Sequence, residues 1–125
     1  MTKVHEVYRC NVCGNIVEVL HIGKGTLVCC GEDMELMVPQ TADEGKEKHV
    51  PVIIQKGDDV VIKVGEVAHP MVEKHFIEWI EIIADQTSCR KFLAAGDEPQ
   101  ASFCVQAKSL QARVYCNIHG LWQKK

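Results

Sequence analysis

Between residues 50 and 116 the chain is built of short apolar runs broken by turn residues. Val50-Pro51-Val52-Ile53-Ile54-Gln55 and Val60-Val61-Ile62-Lys63-Val64 are rich in β-branched side chains and flank Lys56-Gly57-Asp58-Asp59, a composition that predicts a hairpin. Further runs over 89–93, 101–107 and 112–116 read as strands. The segment Phe76-Ile77-Glu78-Trp79-Ile80-Glu81-Ile82-Ile83 also has apolar residues at helical spacings. Its β-branched and aromatic content, and its place among strands, predict a strand. Short strands at regular turn spacing predict an antiparallel β-sandwich over 49–125. Upstream, Ile16 to His21 reads as a strand, and Gly23-Lys24-Gly25 as a turn into Thr26-Leu27-Val28. Residues 38–48 are polar, lack periodicity and read as a linker. Residues 1–37 then form a separate unit, too short to build an adequate core without a metal or disulfides.

The bulk composition narrows the function classes. With 46% apolar and 25% charged residues this is an ordinary globular composition. A net charge of −3 offers no basic footprint for nucleic acid. No apolar run approaches the ~18 residues of a membrane span. The start, Met1-Thr2-Lys3-Val4-His5-Glu6, has no apolar signal core, so a cytoplasmic protein is expected.

The chemistry lies in histidine and cysteine. Cys10 and Cys13 form a C-x2-C knuckle, and Cys29 and Cys30 stand side by side downstream. In a reducing compartment clustered cysteines favour metal over disulfides, and an S4 set suits iron or zinc. A zinc staple or a pair of disulfides is the bland alternative. At the other end, Cys116-Asn117-Ile118-His119 joins His49, His69 and His75 in a second set of donors. Glu-Lys-His occurs twice, at 47–49 and 73–75, and delivers a histidine each time. Five borderline-soft donors exceed a closed tetrahedral zinc site. An octahedral metal takes all five and keeps one position open for small-molecule chemistry. His5 and His21 read as solvated residues. Of the two remaining cysteines, Cys104 lies in an apolar stretch and is expected in the core, and Cys89 near the surface.

These motifs together closely resemble desulfoferrodoxin, the two-iron class of superoxide reductase. They are Cys10-x2-Cys13 with Cys29-Cys30, Glu47-Lys48-His49-Val50-Pro51, Ala68-His69-Pro70-Met71, Glu73-Lys74-His75 and Tyr115-Cys116-Asn117-Ile118-His119-Gly120. The resemblance implies a mostly β protein, with a desulforedoxin-like N-terminal domain holding an Fe(Cys)4 centre and an immunoglobulin-like sandwich holding a second iron. It implies His49, His69, His75 and His119 as equatorial ligands, Cys116 as the axial one, and Glu47 and Lys48 beside the open position. It also implies one-electron reduction of superoxide to hydrogen peroxide, a rubredoxin-type electron donor and a homodimer. Two alternatives carry other functions. A non-catalytic electron carrier could be rubredoxin-like, or blue-copper-like, and the latter would want two histidines and a weak axial methionine. A zinc-binding interaction module would do no chemistry.

Overall fold

The computed structural model describes residues 1–42 and 48–124, and no helix in it is long and apolar enough to cross a membrane. The chain divides into two compact units, Met1–Val38 and Pro39–Lys125.

In the first unit β1 (Val7–Arg9) pairs antiparallel with both β2 (Ile16–Glu18) and β5 (Glu35–Leu36). The β1–β2 connection is the knuckle itself. The Cys10 N–H donates to the Asn15 carbonyl at 2.8 Å, and Gly14 turns the chain at φ +86°. β3 (Val28–Cys29) and β4 (Glu32–Asp33) form a minimal hairpin whose two loop residues are Cys30 and Gly31, at φ 56° and 75°. Two successive positive φ values make the tight, strand-compatible hairpin turn that glycine favours at its second position. The adjacency of Cys29 and Cys30 thus has a structural cause: one ends a strand and the other opens the turn. The apolar residues fully buried here are few, chiefly Val7, Val19 and Cys10.

The second unit is the β-sandwich expected from the sequence. β6 (Pro51–Lys56), β7 (Asp59–Val64) and β10 (Gln100–Cys104) form one antiparallel sheet in the order β10-β7-β6. β8 (Ile77–Ala84), β9 (Thr87–Phe92), β11 (Leu110–Cys116) and β12 (Gly120–Gln123) form the other, in the order β12-β11-β8-β9. The ambiguous segment is therefore strand β8, and the Lys56–Asp59 turn closes the predicted hairpin. Alternate residues from both sheets meet inside: Val60, Ile62 and Val64 face Ile80, Ile82, Ala112 and Val114, with Phe103 between them.

Of the two spare cysteines, Cys104 departs from the expectation and Cys89 is half-buried. Ala101 and Phe103 point inward on β10, so period-two alternation turns Cys104 outward, where it is exposed. Cys89 pairs with Ile82 across β8–β9 and packs against the core.

The outer face of the four-stranded sheet carries a buried charge cluster. Glu81 on β8 is fully buried, directly across from Arg90 on β9 and Arg113 on β11. Its carboxylate accepts hydrogen bonds from Arg113 Nε at 2.8 Å and from Arg90 Nη2 and Ser88 Oγ at 2.6 Å each. The Arg90 guanidinium also lies over Trp79, 4.6 Å from the ring centroid. Glu81→Gln keeps the shape but leaves the buried Arg113 without its counter-charge. Such a loss costs about 3–5 kcal/mol. Urea denaturation of metal-loaded protein should show that drop in midpoint with an unchanged slope.

Candidate metal centres

The first unit brings the thiols of Cys10, Cys13, Cys29 and Cys30 within 4.8 Å of one another. Sulfur separations of 3.7 Å for Cys13–Cys29 and 3.9 Å for Cys29–Cys30 are far beyond the ~2.05 Å of a disulfide bond. All four are free thiols. The Cys13 backbone N–H points at the Cys10 sulfur at 3.4 Å and, with that of Val12, brings its pKa down to about 6. A thiolate there acts on the others: the neighbouring sulfurs of Cys13, Cys29 and Cys10 push Cys30 up to about 12. Four thiolates cannot coexist so closely without a cation among them. The tetrad therefore fits a thiophilic metal such as iron or zinc.

In the second unit, His49 lies in a bend just before β6, His69 and His75 in the β7–β8 connection, Cys116 at the end of β11, and His119 in the turn before β12. Local structure aims each one. A register shift between Tyr115 and Cys116 re-aims the thiol at the inner end of the strand. Val72 and His75 exchange two backbone hydrogen bonds, of 3.1 and 2.9 Å, in a small loop that presents His75. Asn117 ties that loop to the Cys116 turn: its Oδ1 accepts from the Phe76 N–H at 3.0 Å and its Nδ2 donates to the Lys74 carbonyl at 3.0 Å.

The four rings make a closed circuit of edge contacts. Centroids are 4.8 Å apart for His49–His69, 4.8 Å for His69–His75, 5.0 Å for His75–His119 and 4.7 Å for His119–His49. His49 thus stands opposite His75, and His69 opposite His119, around one point. His49 Nε2 approaches His119 Nδ1 to 3.1 Å, and Cys116 Sγ lies 3.7 Å from that same Nδ1. The five donor atoms lie within 4.8 Å of one another.

The surroundings fix protonation. His69 Nδ1–H donates to the Pro70 carbonyl at 2.7 Å, which leaves its Nε2 as a free lone pair. That Nε2 and the Nε2 of His75 are buried and have no hydrogen-bond partner. Burial above all holds His69 down to about 4 and lowers His75, with help from the other imidazoles and, for His75, from the Lys48 charge. Both are neutral ligands at physiological pH. Burial pushes the Cys116 thiol up, against the pull of the His119 and Ile118 backbone N–H groups. An incoming cation must therefore displace a proton from Cys116. Orphaned buried nitrogens are costly, and a metal with nitrogen and sulfur affinity supplies what they lack.

Lys48, next to His49, is half-buried, and its main chain packs directly on Gly65 at the end of β7. A Cβ at Gly65, whose φ is +78°, would come within 2.5 Å of the Lys48 carbonyl carbon. Glu47 lies outside the described residues. His5 pairs with Glu18 at 3.7 Å and His21 is exposed, and neither joins a metal cluster. Sequence reasoning missed Trp122, whose indole stacks on the His49 ring with centroids 4.5 Å apart and planes at 14°. Its only signal was an aromatic residue in an apolar strand shortly after His119.

An all-β chain with a thiolate tetrad in a small unit and a four-imidazole, one-thiol cluster at the end of a sandwich is a two-centre metalloprotein. The desulfoferrodoxin family model matches residues 41–125, and the model of the desulfoferrodoxin N-terminal domain matches residues 2–37. The chain belongs to the desulfoferrodoxin family. It is 63% identical to a desulfoferrodoxin homolog of Archaeoglobus fulgidus and 57% identical to a desulfoferrodoxin of Nitratidesulfovibrio vulgaris, each over 98% of both chains. Among solved structures, the superoxide reductase from Treponema pallidum matches 96% of this chain and 97% of its own, at 27% identity and a TM-score of 0.79. A one-iron superoxide reductase from Giardia intestinalis matches 63% of this chain and 96% of its own, at 38% identity and a TM-score of 0.56.

The two donor sets share no residue, so they should be separable. Cys13→Ser is expected to lose the metal of the tetrad and to loosen residues 1–37, whose fold depends on it. The second centre should keep its metal. Metal analysis with amide hydrogen exchange checks both, and loss of both metals together would contradict the independence of the two sets.

Proposed function

We infer that this chain is a superoxide reductase, an oxidoreductase that reduces superoxide by one electron, with two protons, to hydrogen peroxide. The observation that carries the inference is the circuit of four imidazoles beside Cys116, with two buried nitrogens awaiting a metal, in a chain of desulfoferrodoxin type throughout. Cys10, Cys13, Cys29 and Cys30 hold one iron. His49, His69, His75, His119 and Cys116 would hold the second. Residues 1–37 are the desulforedoxin-like Fe(Cys)4 domain, 38–48 the linker and active-site loop, and 49–125 the β-sandwich domain of the catalytic iron.

Iron at the second centre supplies the single electron that the reaction consumes. The protein's own residues do the rest. Superoxide is a small anion, and Lys48 is the cation held beside the ligand His49. A positive charge about 4 Å from an anion gains roughly 4 kcal/mol at an effective dielectric near 20. It raises the local concentration of substrate and offers its N–H groups to the anion. Cys116 holds its sulfur as an electron-rich donor, and the Ile118 and His119 amides temper that richness by pointing at it. Glu47 supplies a hard carboxylate donor of the kind the oxidised state of iron prefers. The electron is replaced by a rubredoxin-type carrier in the cytoplasm, and the protein works as a homodimer.

A blue-copper-like carrier is disfavoured, because four histidines converge where two and a methionine would serve. Protein purified without added metal should contain two irons per chain. One metal, or zinc at both sites, would refute the assignment.

Lys48→Ile should leave iron loading intact and slow the encounter with superoxide by roughly ten-fold, since one charge near the path of an anion is removed. The wild-type rate should fall with added salt, and the mutant's should fall less. Pulse-generated superoxide with rapid absorbance detection measures both. An unchanged rate and salt slope in iron-loaded mutant would return Lys48 to the solvated loop.

A further inference from the structure

His49 and His119 both reach the cluster from irregular backbone. His49 sits in a bend outside any strand, and His119 is an exposed residue in a turn. Trp122 reaches both. It is 6% exposed on β12 and belongs to the sandwich core. Its indole face lies parallel to the His49 ring, 4.5 Å away between centroids. Its Nε1–H donates to the His119 carbonyl at 3.2 Å. The same carbonyl accepts a second hydrogen bond from Gln40 Nε2 at 2.8 Å. Gln40 is itself fixed to the strand, donating its N–H to the Leu121 carbonyl and accepting from the Gln123 N–H, both at 2.9 Å.

We propose that Trp122 is a positioning residue of the five-donor centre: its ring face holds His49 and its N–H, together with Gln40, holds the backbone of His119. The two ligands stand 70 positions apart in the chain and come within 3.1 Å of each other through their ring nitrogens. One side chain rooted in the core thus sets both the rotation of the His49 imidazole and the height of the His119 turn. The stack also responds to loading. An imidazole bound to a cation becomes electron-poor, and its attraction to an electron-rich indole face grows. Trp122 therefore favours the metal-loaded arrangement over the empty one.

The test is the rate at which a chelator removes iron from the five-donor centre of the full-length protein. Loss of that centre's thiolate-to-iron absorption reports it. The absorption of the thiolate tetrad in the same sample is the control. Trp122→Leu removes both contacts and should speed release by about ten- to a hundred-fold, the usual effect of removing support behind a ligand. Trp122→Phe keeps a ring on His49, deletes only the N–H, and should show a smaller increase. Gln40→Leu with Trp122→Phe removes both of these donors to the His119 carbonyl and should exceed either alone. Iron loss from the tetrad should stay at the wild-type rate throughout. If Trp122→Leu yields no folded protein, the double variant decides. A lowered thermal midpoint with release from the five-donor centre at the wild-type rate would make Trp122 a core residue only and overturn the proposal. The inference rests on that centre holding iron. Wild-type protein that takes up none there would remove both readings, whereas loaded variants that release at the wild-type rate would remove only this one.

Discussion

Four imidazole nitrogens and a thiol sulfur within 4.8 Å of one another form a cluster that proteins do not assemble without return. Two ring nitrogens are buried with no partner, and burial keeps His69 neutral, its one proton on Nδ1, and keeps the proton on Cys116. Each of these is unfavourable on its own, and one cation relieves them all. The lone pairs gain an acceptor and the thiol exchanges its proton for a metal. Much of the second unit's irregular detail follows from that convergence. The shift at Tyr115/Cys116, the Val72–His75 bridge and the two-way grip of Asn117 are local departures from regular strand, and each aims a donor at the same point.

The two units meet the same demand from opposite directions. The sandwich has a continuous core from Val60 to Trp122 that needs no ligand to exist, so it can hold five donors in advance of the metal. Ligands held in advance keep their places when one is displaced or the oxidation state changes, which is what an open coordination position requires. The N-terminal unit has little beyond Val7, Val19 and Cys10 inside, and the neighbouring sulfurs hold back the ionisation of Cys29 and Cys30. There the cation is part of the fold. Four sulfurs would complete a tetrahedral set around it, whereas the sandwich offers five donors, one more than such a set uses.

Much of this was legible in the residues because metal ligands and β-strands both announce themselves locally. The knuckle at Cys10–Cys13, the Lys56–Asp59 turn and the β-branched runs each depend on neighbours a few positions away. The outward facing of Cys104 was not legible, since facing is set by register. One step of phase on a strand turns a side chain from core to solvent. Nor could the pattern reveal that Glu81, in an apolar run, would be buried between Arg90 and Arg113, because those partners arrive from two different strands. The use of Nδ1 by His119, where His69 and His75 turn Nε2 inward, is a matter of turn geometry after Cys116. Trp122 looked like one more apolar residue for the same reason. Its partners lie elsewhere in the chain.

The charge beside the site is anchored by the same logic of close backbone approach. Lys48 directly precedes His49 of the five-donor cluster. What fixes it is Gly65. There the backbone of β7 comes so near Lys48 that any side chain would overlap the lysine's carbonyl carbon, and the φ of +78° is one that L residues rarely adopt. The Gly65 N–H donates to the Val50 carbonyl at 3.1 Å, so the segment 48–50 is held to the sheet on both sides of His49. The Lys48 charge already registers at His75, whose proton affinity it helps to lower. His49 and the Lys48 charge are therefore fixed by the contacts of one glycine. Any movement of that segment shifts a donor of the cluster and the charge beside it together, so the arrangement of the donors and the field acting on them change as one.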